Sequence, residues 1–264
     1  MLPSGPGPHR TVPRLPSVSI PVNGRSRAPG PLQPLQAVLF DMDGTLVETE
    51  ELWGEAMAAL ATQLGGVFSA EARQRTVGTS MRVAIQILHT DLGLVRTEAE
   101  LLADAAWVEE ETAALMTTRG MPWRPGARDL LTAVRTAGLA TALVTTTPRR
   151  IAALVIDRIA TDLGGTPFDV TVCGDEVPAR KPHPAPYLQA MVALGVEPAS
   201  SLVVEDSQVG VIAGLASGAT VLGIPSLQPL EPAAGLTLWA TLTGTTVEDL
   251  AGLLAGTSAA VPGT

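Results

Sequence analysis

The 264-residue chain has a single cysteine, Cys173. It can therefore build neither a disulfide framework nor a multi-thiolate zinc or iron–sulfur site, and a reducing, cytoplasmic setting is the expectation. Aromatic residues make up only 3% of the chain while hydrophobic residues reach 46%. The core must then come from Ala, Val, Leu and Ile, which suits helices packed on a parallel sheet better than an aromatic-rich β-sandwich. No apolar run approaches the roughly 18 residues that span a bilayer, and no compact secretion signal is visible, so no membrane partner is expected. Lysine is nearly missing as well: of 17 basic side chains 16 are arginine, and Lys181 is the sole amine side chain. The formal charge is −9; residues 1–35 hold four arginines and no acid, which leaves −13 on the remainder. So acidic a body is a poor surface for a nucleic-acid backbone, and no nucleic-acid partner is expected.

Nine of the 22 prolines fall within the first 34 residues, mixed with Gly and Ser and without any helix or strand period. Residues 1–35 are accordingly expected to be a disordered extension. From residue 37 the pattern changes to short apolar runs: Ala37 to Phe40, Ala140 to Val144, Val170 to Cys173, Leu202 to Val204 and Val221 to Ile224. Helical patterns lie between the later runs, at Asp129 to Thr136, Arg149 to Ile159, Ala185 to Leu194 and Val209 to Ala216. The alternation predicts an α/β fold with a doubly wound parallel sheet. About a hundred residues between the first two runs contain no strand-like stretch and instead show stripes such as Leu52, Ala56, Leu60 and Leu64. The expected organisation is a core from residues 36–47 and 122–264, with a helical cap inserted over 48–121. A monomer is expected.

Ligand sites in open α/β sheets lie at the carboxyl ends of the strands, so the residues that end the apolar runs are the ones to weigh. The first run ends in Asp41-Met42-Asp43-Gly44-Thr45, the second in Thr145-Thr146-Thr147 and the fourth in Glu205-Asp206-Ser207, while Lys181 follows the third. Acids, hydroxyls and the lone ammonium thus converge on one sheet edge. Carboxylates so grouped repel one another unless a cation intervenes, and an all-oxygen donor set selects Mg²⁺ over zinc. Mg²⁺ and Lys181 would together cradle an anion such as phosphate. Each residue also has a plainer reading. Paired Asp residues are common in turns. Thr147, followed by Pro148, reads as a helix cap; His183 reads as a loop residue and Cys173 as a small buried hydrophobe within a strand. Gly210 and Gly214 read as close helix-packing positions.

Taken in order, Asp41-Met42-Asp43-Gly44-Thr45, Thr145, Lys181 and Glu205-Asp206 resemble the four motifs of the haloacid dehalogenase-like superfamily of phosphohydrolases, over about residues 37–250. The resemblance implies that Asp41 attacks phosphorus to form an aspartyl phosphate, and that Asp43 serves as acid and then as base. It implies that Thr145, with Thr146 beside it, and Lys181 hold the phosphoryl oxygens. It further implies a Mg²⁺ site from Asp41, the Asp43 carbonyl and Asp206, with Glu205 as ligand or support, and a closing helical cap. Asp43 favours ester hydrolysis over dehalogenation. Trp53 stands where hexose-phosphate mutases of the family are expected to carry a histidine, although an aromatic there also suits simple packing of the first cap helix. Glu51, Leu52 and Trp53, with the segment around Gly78, Thr79 and Arg82, resemble cap elements of relatives acting on sugar phosphates. The expected function is Mg²⁺-dependent hydrolysis of a small phosphorylated metabolite, a sugar or polyol phosphate being favoured. The alternatives are a β-phosphoglucomutase-like mutase and, from another class, a phospho-acceptor signalling module.

Overall fold

A computed structural model describes residues 34–256; the expected extension over residues 1–35 therefore lies almost wholly outside the described residues. Six strands form one parallel sheet: β1 (Ala37–Phe40), β2 (Ala140–Val144), β3 (Val170–Val172), β4 (Ser201–Glu205), β5 (Thr220–Gly223) and β6 (Leu236–Leu238), in the order β3-β2-β1-β4-β5-β6. Strand residues alternate between two apolar layers. Val38 and Phe40 of β1 join Leu202 and Val204 of β4 in one layer, and Ala37 and Leu39 join Val203 in the other. Both faces are covered, which is why these strands read in the sequence as unbroken apolar runs.

Nine helices surround or extend this sheet among the described residues. The first layer is closed by α5 (Ala127–Thr136), α6 (Arg149–Leu163) and α9 (Val247–Leu254), through Leu130, Leu131, Ile151, Val155 and Leu250. The second is closed by α7 (Ala185–Leu194) and α8 (Gln208–Ser217), through Tyr187, Ala190, Met191 and Val211. Gly214 of α8 leaves room for the sheet, since a Cβ there would stand 3.0 Å from Val221 and 3.2 Å from Val203. Three short elements escape the sequence pattern: α2 (Ala70–Thr76) and α9 are each about two turns, and β6 is a three-residue edge strand whose Leu-Thr-Leu is too brief to show a period.

The stretch after β1 folds into α1 (Glu50–Gln63), α2 (Ala70–Thr76), α3 (Met81–Asp91) and α4 (Glu98–Arg119). These pack around their own cluster of Ala56, Met57, Leu60, Ile85, Leu88, Leu101 and Val108. Thr97 and Glu100 form a capping box that fixes the start of α4. The two chain crossings between these helices and the sheet are paired. Glu48 N–H donates to Pro122 at 2.8 Å, Arg124 N–H donates to Leu46 at 2.9 Å, and the Arg124 guanidinium holds the Glu48 carboxylate at 2.6 Å. Sheet order reverses on either side of β1, and that switch point opens towards these helices.

Candidate functional site

The loop after β1 is built by its backbone. Asp41 N–H donates to Val204 of β4 at 3.0 Å, and the N–H groups of Leu46 and Val47 both return to the Met42 carbonyl, at 3.0 and 3.2 Å. Met42 and Leu46 are fully buried anchors. Gly44 sits at φ +78°, and a Cβ there would fall 2.1 Å from Asp206 Oδ2, so glycine is needed both for the turn and for the approach of the second acidic strand end. Asp41 and Asp206 are thereby brought side by side. Together with Glu205 they place carboxylate oxygens within 4.8 Å of one another, all three residues buried.

Lys181 is the only cation inside this cluster among the described residues. Its ammonium donates to Asp41 Oδ1 at 2.7 Å, to Glu205 Oε1 at 2.6 Å and to the Val144 carbonyl at 2.8 Å, and it lies 4.8 Å from the centre of the Tyr187 ring. Burial alone would lower its pKa, but Asp41 and Glu205 hold it above its ordinary value. One cation does not balance the cluster. Burial, reinforced by Glu205, pushes Asp41 up to about 8 against the pull of Lys181, and burial with the Asp41 and Glu205 charges pushes Asp206 well above the carboxylate range. Such a set of converging, under-compensated oxygens fits a hard divalent cation such as Mg²⁺.

Glu205 is held differently. Its Oε1 accepts from Lys181 and from the Tyr187 hydroxyl at 2.7 Å, while Oε2 accepts from Asp206 N–H, Ser207 N–H and the Ser207 hydroxyl at 3.1, 3.3 and 3.1 Å. Five donors on two oxygens mark it as a support for its neighbours. Gly210 makes that possible, because a Cβ there would be 1.8 Å from Oε1; its role is thus to seat a carboxylate, whereas Gly214 alone serves helix–sheet packing.

Asp43 is partly exposed to the space above. Its Oδ1 accepts from the Thr49 hydroxyl and from the Trp53 indole at 3.3 Å; its Oδ2 accepts from Thr147 at 2.7 Å and Thr145 at 3.4 Å. Three expectations are corrected here. Thr147 does not cap the helix that follows: Pro148 occupies the N-cap position, and the Thr147 hydroxyl is spent on Asp43. Trp53 does more than pack α1, since its ring is a donor to Asp43. Cys173 lies one residue beyond β3, not within it, and is fully buried, its thiol pushed up to about 12 chiefly by burial. His183 is exposed and accepts from Ala185 N–H at 3.1 Å, a loop role.

Asp41, Asp43, Lys181 and Asp206 form the floor of a cavity of about 880 Å³, counted to its open mouth. Thr146 and Thr147 line one side, and the opposite wall comes from the helical insertion: Glu50, Trp53, Gly54, Arg73, Gly78 and Thr79. Glu205 and Thr145 stand behind this surface. Glu51 and Arg82 do not reach it; Glu51 is exposed and Arg82 pairs with Glu98 on the outside. Glu50 is pushed up to about 8 by enclosure and by the Asp43 and Asp41 charges. Thr49, Glu50, Arg73 and Tyr187 were not singled out in the sequence. Tyr187 carried one usable signal, being the only tyrosine, but Thr49 is an ordinary residue before α1, and Glu50 and Arg73 are ordinary helix residues.

A family model described as haloacid dehalogenase-like hydrolase matches residues 35–218. The chain is 34% identical over 184 residues to the phosphorylated carbohydrates phosphatase of Thermotoga maritima, covering 70% of this chain and 82% of that protein. It is 32% identical over 197 residues to protein CbbY of Rhodobacter capsulatus, covering 73% and 86%. The crystal structure of CbbY from Rhodobacter sphaeroides in complex with phosphate superposes with a TM-score of 0.69 at 26% identity, over 81% of this chain and 98% of that one.

Proposed function

The chain belongs to the haloacid dehalogenase-like hydrolase family and is a phosphatase-type enzyme of it, and from that premise we propose that it is a Mg²⁺-dependent phosphatase of a small phosphorylated sugar or polyol, working through an aspartyl phosphate on Asp41. The observation that carries this reading is the pairing of a lysine-held carboxylate, Asp41, with a second carboxylate, Asp43, held by neutral donors on the same cavity floor. Asp41, Asp206 and the Asp43 carbonyl would hold the metal, with Glu205 behind them. Bound Mg²⁺ would supply positive charge against the phosphoryl oxygens and relieve the repulsion among the acids.

The chain's own groups account for the remaining steps. Lys181 fixes the Asp41 carboxylate, leaving its other oxygen to attack phosphorus; the bond to the substrate oxygen breaks, and Asp43 delivers a proton to the departing alkoxide. Asp43 then takes a proton from water, whose oxygen attacks the same phosphorus and releases inorganic phosphate, returning Asp41 as a carboxylate. Thr146, on the cavity wall, would orient the phosphoryl group, while Thr145 stands behind it and holds Asp43 and the Thr147 N–H. Helices α1–α4, over 48–121, would act as the cap that excludes bulk water during transfer. Trp53 supports hydrolysis over mutase chemistry, because an indole N–H can orient Asp43 but cannot relay a proton.

Purified protein is expected to release phosphate from p-nitrophenyl phosphate with Mg²⁺ and to stop when EDTA is added. Asp43→Asn is expected to slow turnover by about 10²–10⁴-fold, the usual weight of a positioned acid–base group. Turnover that persists without a divalent ion, or a normal rate in that variant, would refute the reading.

A further inference from the structure

We propose that the far wall of the cavity is an apolar shelf, so that the phosphorylated sugar or polyol carries an apolar group, an aromatic ring or an alkyl chain, on the side away from its phosphate. The proposal rests on the phosphatase reading above and narrows its substrate class.

Met57, Val77, Met81 and Ala84 of the helical insertion and Leu227 of the loop after β5 line the same cavity as the catalytic carboxylates. They come from α1, the turn after α2, the first turn of α3 and the carboxyl edge of the sheet. Leu227 is the most exposed of them, at 46%. Its loop is pinned on both sides. The Gln228 side-chain amide beside it donates to the Gln74 carbonyl of α2, and Glu231 N–H donates to the Gln208 side chain of α8 at 2.9 Å. An apolar side chain fixed at the mouth of a catalytic cavity leaves carbon surface for whatever enters to cover.

A second observation concerns the polar groups of the same wall. The polar side chains of the insertion that line the cavity are Glu50, Trp53, Arg73, Thr76 and Thr79. Three are already committed. The Trp53 indole donates to Asp43, the Thr76 hydroxyl donates to the Arg73 carbonyl at 2.7 Å, and the Thr79 hydroxyl donates to the Thr76 carbonyl at 2.8 Å. Glu50 and Arg73 remain, and both sit against α1: Glu50 opens that helix, and a Cβ added at its Gly54 would stand 2.5 Å from Arg73 Nη2. Beyond them, towards α3, the wall offers carbon and sulfur instead of free donors.

That surface selects its ligand. A polyol pressed against it would give up the water on its hydroxyls and find few partners in exchange, whereas an apolar group loses no hydrogen bonds and gains by burial. Two methionines suit the second case, because the thioether adapts its shape and makes favourable contacts with aromatic ring edges.

Two matched substrate pairs test the proposal with the full chain and Mg²⁺. Uridine 5′-monophosphate differs from ribose 5-phosphate by a planar base, and butyl β-glucoside 6-phosphate differs from glucose 6-phosphate by an alkyl chain. In at least one pair the member with the apolar group is expected to have the higher kcat/KM by about tenfold, mostly through KM, the worth of about two buried methylene groups. Which pair responds distinguishes ring from chain. Leu227→Asn and Met81→Gln should each bring that ratio towards one, and Leu227→Ala should leave an intermediate ratio. Ile212→Asn, at an exposed apolar residue of α8 that does not line the cavity, should leave the ratio as it is. An enzyme that hydrolyses p-nitrophenyl phosphate but shows no apolar preference in either pair overturns the shelf and spares the phosphatase reading. A preference that survives both Leu227→Asn and Met81→Gln also overturns it, as does one that Ile212→Asn erases. Failure to hydrolyse p-nitrophenyl phosphate or any of the four esters overturns both.

Discussion

Two buried ionic clusters stand out among the described residues, one at the strand ends and one inside the helical insertion, and they are built on opposite principles. In the insertion, Asp104 of α4 accepts from His89 Nε2 at 2.8 Å and from Arg96 at 2.8 Å, so its single carboxylate is surrounded by donors, and it does not line the cavity above Asp41. At the strand ends, Asp41, Glu205 and Asp206 share one lysine beside an open cavity. A satisfied cluster locks helices together; an over-acidic one stores repulsion that protonation or a bound cation relieves. Buried charge alone therefore does not mark a functional site. What separates the strand-end cluster is its charge imbalance beside a cavity.

The largest test of that contrast is chemical. Asp41→Asn should abolish phosphate release by on the order of 10³-fold or more, because the variant lacks the attacking oxygen. Asp104→Asn should leave turnover of p-nitrophenyl phosphate intact. Comparable rates in the two variants would erase the distinction.

Stability comes next. Lys181→Met leaves Asp41 and Glu205 facing each other without their shared cation, and should cost about 3–5 kcal/mol in denaturant unfolding. Asp104→Asn, in which the amide can still accept one of the lost hydrogen bonds, should cost about 1–3 kcal/mol. A Lys181 variant as stable as the parent would show that the acids are not charged against one another.

Acidity sharpens the contrast further. Asp41 and Glu50 are pushed up to about 8, and Asp206 is raised in the same direction. The folded chain thus binds more protons than the unfolded chain between the ordinary carboxylate range and about pH 8, so without metal its stability should fall as pH rises through that window. Mg²⁺ should recover most stability at the upper end, where the acids are charged. Melting temperatures of metal-free and Mg²⁺-loaded protein at about pH 5 and about pH 8 measure this, and a metal-free protein that gains stability over the window would reverse the sign.

The smallest effect is expected at Trp53. Trp53→Phe keeps the ring against α1 and removes one donor to Asp43, so kcat should drop by about two- to tenfold, the worth of a single neutral hydrogen bond. An unchanged pH–rate profile and rate would return Trp53 to a packing role.

Legibility followed burial. β1, β2 and α7 match their sequence bounds residue for residue because unbroken apolar runs on a parallel sheet leave little ambiguity. The meeting of Asp41, Asp43, Lys181 and Asp206 at one sheet edge was legible because each follows the end of a strand-like run. Thr147 was misread because a threonine before Pro148 satisfies the local rules for a cap; only its distance to Asp43 shows otherwise. Trp53 was half read, since an apolar stripe reveals which face a ring occupies but not where its N–H points.

The order of strand-ending acids, hydroxyls and the solitary lysine was set by the sequence itself, because strand period and sheet topology carry those positions to one edge. What lies across the cavity was decided only in three dimensions. The meeting of Arg73 with Gly54 joins two helices whose individual patterns say merely that each has a buried face, and it depends on distances that no one-dimensional spacing encodes.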